Sequence, residues 1–182
     1  MNRLFIAAEI PEDALNKLIE IRDNIYNDPR IKWEPKEKLH ITLKFLGDVE
    51  EEKNKKLIET IANVLKDKAK FDLFFEKFGF FKKAGQPRIL WVKTNDSEQL
   101  KIIQHEIDNC CNELGFPKEN REFKPHVTLL RIRGNEDIQK IYKFSNHIFP
   151  KITFTVSNII LFKSELKSTG SVYHKIKNFN LH

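Results

Sequence analysis

Cysteine is scarce, and the two that are present cannot organise a fold. Cys110 and Cys111 are adjacent in a helical pattern, where a mutual disulfide would be strained and no metal-ligand spacing exists. They read as reduced, structural thiols. Long apolar runs are absent too: none approaches the roughly 20 residues that cross a bilayer. The first residues carry neither the apolar block nor the cleavage site of a secretory signal, so a cytoplasmic protein without membrane contact is expected. A long linker is also lacking. The stretch richest in breakers, Lys82-Lys83-Ala84-Gly85-Gln86-Pro87, is short and is expected to join two lobes. At 40% hydrophobic and 32% charged, the chain reads as one domain over residues 1–182 with a sizeable core.

What is present starts with charge. A formal net charge of +6 favours an anionic partner without separating nucleic acid from nucleotide. Lys53, Lys55, Lys56 and Lys66 are dispersed as on a solvated helix face. The more specific signal is a repeated tetrapeptide, His40-Ile41-Thr42-Leu43 and His126-Val127-Thr128-Leu129, with the histidines 86 positions apart. In an extended strand alternate side chains share a face, so each copy presents one imidazole and one hydroxyl while Ile41, Leu43, Val127 and Leu129 turn to a core. Two such strands side by side would offer a cleft two histidines, the groups best suited to proton transfer near neutral pH.

The flanking pattern repeats in register. Arg3 to Ala7 and Arg88 to Val92 read as strands 85 positions apart. Each precedes an amphipathic helix, Glu12 to Tyr26 and Ser97 to Leu114, with apolar residues at helical spacing. Second helices are expected over Glu50 to Lys66 and Glu136 to His147, followed by strands over Phe71 to Phe81 and Ile152 to Phe162. The halves are roughly 1–85 and 86–182.

His105, His147, His174 and His182 have no repeated partner and read as structural or surface groups. Zinc is disfavoured because no carboxylate is fixed in spacing to either motif, whereas catalytic zinc takes three protein ligands. Arg131 and Arg133 follow the second motif closely enough to reach an anion between the histidines. Simple alternation turns Arg131 to the wrong face, so its use requires a bulge; the alternative is a surface ion pair. Phe78, Phe80 and Phe81 are expected in the core rather than stacked on a base.

These residues carry a family resemblance. The opening Arg3-Leu4-Phe5-Ile6-Ala7, Leu39 to Gly47, Pro87 to Trp91, Phe123 to Arg131, and Ser164-Glu165-Leu166 before Gly170 and Tyr173 resemble the 2H phosphoesterases, and within them the RNA 2′,3′-cyclic phosphodiesterases also described as 2′-5′ RNA ligases. The resemblance implies a bilobal α+β fold of two antiparallel sheets backed by helices around a groove carrying both motifs. It implies metal-independent, cofactor-free opening of RNA 2′,3′-cyclic phosphate ends to 2′-phosphates, with 2′-5′ ligation as the reverse mode. His40 matches the proton donor and His126 the proton acceptor. Thr42 and Thr128 would donate hydrogen bonds to phosphate oxygens, and Arg131 would bind substrate. The expected partners are RNA with cyclic phosphate ends or small cyclic nucleotides, bound by a monomer. The rival reading is a nucleotide- or RNA-binding module without turnover.

Overall fold

The computed structural model describes residues 2–168 and 170–182, without the side chain of Asn2. In chain order its main elements are β1 (Asn2–Ala8), α1 (Glu12–Ile25), β2 (Ile41–Val49), α2 (Glu51–Leu65), β3 (Phe71–Lys83), β4 (Gln86–Thr94), α3 (Glu98–Glu113), β5 (His126–Arg131), α4 (Ile138–Lys143), β6 (Thr153–Val156), β7 (Asn158–Lys167) and β8 (Gly170–Asn180). The first three helices follow the apolar spacing of the sequence. α1 buries Ala14, Leu15 and Leu18; α2 buries Leu57, Ile61 and Leu65; α3 buries Leu100, Ile103, Ile107 and Cys111. Ser97 caps α3 by accepting from the Leu100 amide at 3.2 Å, which satisfies one of the orphan donors of a helix start.

The fourth helix is shorter than the expected Glu136 to His147. The Glu136 carboxylate accepts from the amides of Arg133 and Gly134 and so belongs to the preceding turn, Asp137 is the cap, and after Lys143 the chain tightens into a 3₁₀ turn at Phe144–Asn146.

The strands form two antiparallel four-stranded sheets, β2-β1-β7-β8 and β5-β4-β3-β6. The fold is therefore α+β, with β2 and β5 as the edge strands that approach each other. The sequence halves and the sheets do not coincide. β3 leaves the first half to pair with β4, and β7 leaves the second half to pair with β1. The Lys82–Pro87 segment is accordingly not a junction between lobes but a hairpin inside one sheet. Ala84 at φ 49° and Gly85 at φ 76° take the two left-handed positions that a tight hairpin of matching twist requires. Ile152 to Phe162 is likewise two strands: β6 pairs with β3, and after Ser157 the chain enters the other sheet as β7. Residues 159–162 are all buried, because β7 is an interior strand covered on both faces.

One apolar core joins the elements, drawing Leu4 and Ile6 from β1, Leu73 and Phe75 from β3, Leu90 and Val92 from β4, and Leu18, Ile61 and Ile107 from the helices. A smaller cluster, Phe5, Ala7, Ile160 and Phe162 with Tyr173 against it, occupies the opposite face of the first sheet and floors the site described below. Among the described residues no helix is long and apolar enough to cross a membrane.

Candidate active site

The two His-Thr motifs enter their sheets in the same way. Thr42 lies opposite Ala7 and Thr128 opposite Trp91. In β2 the register then skips Leu43, and in β5 it skips Leu129, so each strand carries a bulge one residue after its threonine. Leu43 and Lys44 are both buried, as are Leu129 and Leu130. A bulge inserts one residue and reverses the alternation beyond it, bringing Phe45 and Arg131 to the exposed side of their strands. The bulged carbonyls are partnered: Gln104 Nε2 donates to Leu43 O at 3.5 Å and the Glu34 amide to Leu129 O at 2.8 Å. The bulge that Arg131 needs is thus present.

His40 stands at the entrance to β2, walled by rings: Phe5 at 5.0 Å between centroids, Tyr173 at 5.6 Å and Phe162 at 5.8 Å. Its Nε2 is 3.1 Å from Thr42 Oγ1, while Nδ1 is buried without a hydrogen bond. Burial among these rings lowers its pKa to about 4, opposed by the Lys38 backbone and reinforced by His126. That last influence means that the two imidazoles lie near enough for a charge on one to disfavour a charge on the other.

His126 begins β5. Its Nδ1 donates to the Lys124 carbonyl at 2.7 Å, which leaves Nε2 as the atom with a free lone pair. Phe81 meets the ring edge-on at 4.9 Å and Trp91 at 6.2 Å. Burial lowers this pKa as well, against the Lys124 carbonyl. Trp91 in turn lies over Gly79, where a Cβ would come within 2.2 Å of the indole; only glycine leaves room for it. Thr42 and His126 line one cavity of about 730 Å³ whose wall includes neither His40 nor Thr128.

Arg131 is exposed and pairs with Glu34, Nε to Oε1 3.3 Å. Both bear on the hydroxyl of Tyr173, whose pKa is raised by burial and Glu34 and lowered by Arg131, and Tyr173 is one of the rings that wall His40. Arg133 instead belongs to the turn closed by Glu136. The other histidines are elsewhere: His147 packs on Phe78 and Phe149, His174 faces Glu165, His105 is on the exposed side of α3, and His182 pairs through its backbone with Lys68 and Lys70. Among the described residues no group of three or more His, Cys, Asp or Glu is arranged to hold a metal ion.

Sequence reasoning missed the aromatic walls. Phe78 is in the core as expected, and Phe80 packs beside it. Phe81 is not: it points to the other face, half-exposed, against His126. Strand alternation separates it from Phe78 and Phe80 and could have marked it, as it does Phe5 and Phe162. Lys44 carries no signal of its role in the sequence. It is buried, with its ammonium on Asp108 and on the Pro117 carbonyl. Asp108 also accepts from the Glu119 amide at 3.2 Å, tying β2, α3 and the segment before β5 together.

Several known proteins are similar to this chain. An RNA 2′,3′-cyclic phosphodiesterase of Methanocaldococcus jannaschii is 33% identical over 181 residues, spanning 97% of this chain and 99% of that protein. Another, from Thermotoga maritima, is 30% identical over 173 residues, 94% of this chain and 91% of that one. The structure of TT0787 from Thermus thermophilus matches with a TM-score of 0.83 at 26% identity, covering 98% and 97% of the two chains. That of E. coli LigT with 3′-AMP matches at 0.78 and 23% identity over 99% and 98%, a likeness of fold alone. The sequence pattern of the 2′-5′ RNA ligase superfamily matches residues 10–167, and the chain belongs to that superfamily, whose members are 2H phosphoesterases.

Proposed function

We propose that the protein hydrolyses RNA 2′,3′-cyclic phosphate ends to 2′-phosphates by paired imidazole catalysis, with His126 as proton acceptor and His40 as proton donor. The relatives named RNA 2′,3′-cyclic phosphodiesterase support the reaction. The observation that carries the division of labour is the asymmetry of the groove: the open cavity adjoins His126 and not His40. Water therefore has its approach on the side where Nε2 holds a free lone pair. His40, enclosed by Phe5, Phe162 and Tyr173, suits the side from which water is excluded and where the ribose lies. In-line displacement needs both sides. His126 removes a proton from the attacking water, the P–O3′ bond breaks, and His40 delivers its proton to O3′.

Burial alone would make His40 the poorer holder of that proton. The substrate changes this, because a phosphodiester anion beside the ring favours the cation. One proton is then shared by a pair that repels a second, giving one acid and one base. Thr42 and Thr128 donate to the non-bridging oxygens, and Arg131, on exchanging Glu34 for phosphate, offsets their charge. Run backwards, with a 5′-hydroxyl in place of water, the same geometry forms a 2′-5′ bond.

Incubation with 2′,3′-cyclic AMP in EDTA tests the proposal: 2′-AMP should accumulate, and His126→Ala should abolish it. Bound but unconverted nucleotide would identify a binding module; activity lost in EDTA and restored by zinc or magnesium would replace the two-histidine mechanism with a metal-assisted one.

A further inference from the structure

Glu34 carries a charge that opposes the substrate's. It lies in the segment between α1 and β2 that leads to His40, and its backbone is held from two directions. Trp33, the residue before it, meets Tyr26 and Phe144 edge-on, with the Arg22 guanidinium over its ring. The Glu34 amide donates to the Leu129 carbonyl at 2.8 Å, on the bulge that follows Thr128. The backbone thus keeps Glu34 beside the strand that carries the second motif. Its carboxylate pairs with Arg131, and the Glu34 side chain is 21% exposed against 58% for the guanidinium, so solvent screens the acid less than the base. A phosphate that takes its place on Arg131 still has the carboxylate close by.

Such an acid weakens the hold on any anion, yet not on all anions equally. A 2′,3′-cyclic phosphate is a diester with a single negative charge at every working pH. The 2′-phosphate made from it is a monoester whose second ionisation falls near pH 6, so it carries close to two charges at neutral pH. Two cations face this corner: Arg131 from β5, and Lys38, whose ammonium lies 5.8 Å from the Tyr173 ring. Tyr173 itself is kept neutral by burial and by Glu34. Arg131 and Lys38 pull harder on the dianion than on the monoanion, which by itself would make the product the tighter ligand. A fixed carboxylate repels the second charge as it does the first and offsets that preference. Discrimination between related ligands often takes such a repulsive group.

We propose that Glu34 is a specificity residue that distinguishes the singly charged cyclic diester from the doubly charged monoester, so that the product leaves instead of occupying the site. The inference rests on the reaction proposed above, which defines the product, and on Arg131 meeting phosphate.

The test measures dissociation constants on the full chain for two ligands. One is 2′-AMP; the other is 3′-deoxyadenosine 2′-(methyl phosphate), a diester that stays singly charged and has no 3′-hydroxyl with which to cyclise. At about pH 7.5, Glu34→Gln should tighten 2′-AMP about tenfold more than the diester, and inhibition by product during cyclic AMP hydrolysis should strengthen with it. At about pH 5.5, where 2′-AMP is mostly a monoanion, the substitution should affect the two ligands within about threefold of each other. Glu34→Asp, which keeps the charge, should retain most of the wild-type discrimination. The histidines titrate in both proteins over the same range and cancel in the comparison. Equal changes for both ligands at the higher pH would make Glu34 a support for Arg131 and overturn the selection, as would no change or a weakened 2′-AMP. Turnover decides the acid–base reading separately: a wild-type chain that discriminates in this way but hydrolyses no cyclic AMP would overturn that reading and leave the selection standing.

Discussion

At the scale of the residue, His40 and His126 are unusual in how unwelcoming their surroundings are to charge. Both pKa values lie below the ordinary 6.5, His40 at about 4. The sign matters for kinetics, because the pH dependence of kcat/KM reports the free protein and that of kcat the complex. In the free protein the pair holds one proton only below pH 6.5, so kcat/KM should peak on the acid side of that value and fall as pH rises. The bound phosphodiester raises proton affinity, so the maximum of kcat should lie at higher pH. Both profiles in the same buffers, together with calorimetry showing net proton uptake on nucleotide binding near neutral pH, check this; coincident maxima and no uptake would mean that the substrate does not tune the pair. His40→Ala and His126→Ala should each lower turnover by about two or more orders of magnitude with the fold intact, since general acid or base catalysis contributes roughly 10² to 10⁴-fold. Thr42→Ala should cost less, because it removes a hydrogen bond rather than a proton carrier.

At the scale of the element, the site depends on strands bent and seated by their neighbours. Gly79 and Trp91 form such a pair. Gly79→Ala should push the indole off its seat and cost about 1–3 kcal/mol by overpacking, and cyclic AMP turnover should fall with it because Trp91 buttresses His126. Thermal midpoint, tryptophan fluorescence and turnover read this directly, and Trp91→Leu in the same chain should relieve the strain. The elements also show what the sequence discloses. α1, α2 and α3 are legible to within a residue or so at each end because each carries a long apolar stripe, and the His-Thr strands are legible because period-two alternation is local. β8 is not: Tyr173, His174, Lys175, Ile176 and Lys177 give no clear alternation at an exposed edge. The passage from β6 to β7 is invisible because a strand covered on both faces reads as one apolar run. The hairpin at Ala84-Gly85 reads as a lobe junction because hairpins and linkers share their breakers. The bulge at Leu129 is demanded by Arg131 rather than read from composition; its twin at Leu43 has no such signal.

At the scale of the whole molecule, a single core underlies both sheets, and the polar tie across it is the buried Lys44–Asp108 pair. Breaking such a pair one-sidedly leaves a charge without a partner and costs about 3–5 kcal/mol, so Lys44→Met should lower the thermal midpoint sharply and Lys44→Met with Asp108→Leu should recover most of it. The net charge of +6 acts over a longer range. Arg131, Lys124 and Lys175 are each engaged by a carboxylate, Glu34, Glu122 and Glu9, and are exposed enough to exchange it for phosphate. A mononucleotide offers one phosphate; an oligonucleotide ending in the same cyclic phosphate offers several. Each phosphate neutralised on a single strand adds about 0.7 to the slope of log affinity against log salt. If three more are engaged by the longer RNA, raising salt from about 50 to about 200 mM should weaken its binding roughly 20-fold more than that of 2′,3′-cyclic AMP. Titrations of both ligands into the His126→Ala protein, which binds without turnover, measure the two slopes. Parallel slopes would confine recognition to the terminal nucleotide and assign the protein's charge no part in holding the RNA body; a steeper slope for the oligonucleotide would extend the binding surface beyond the groove.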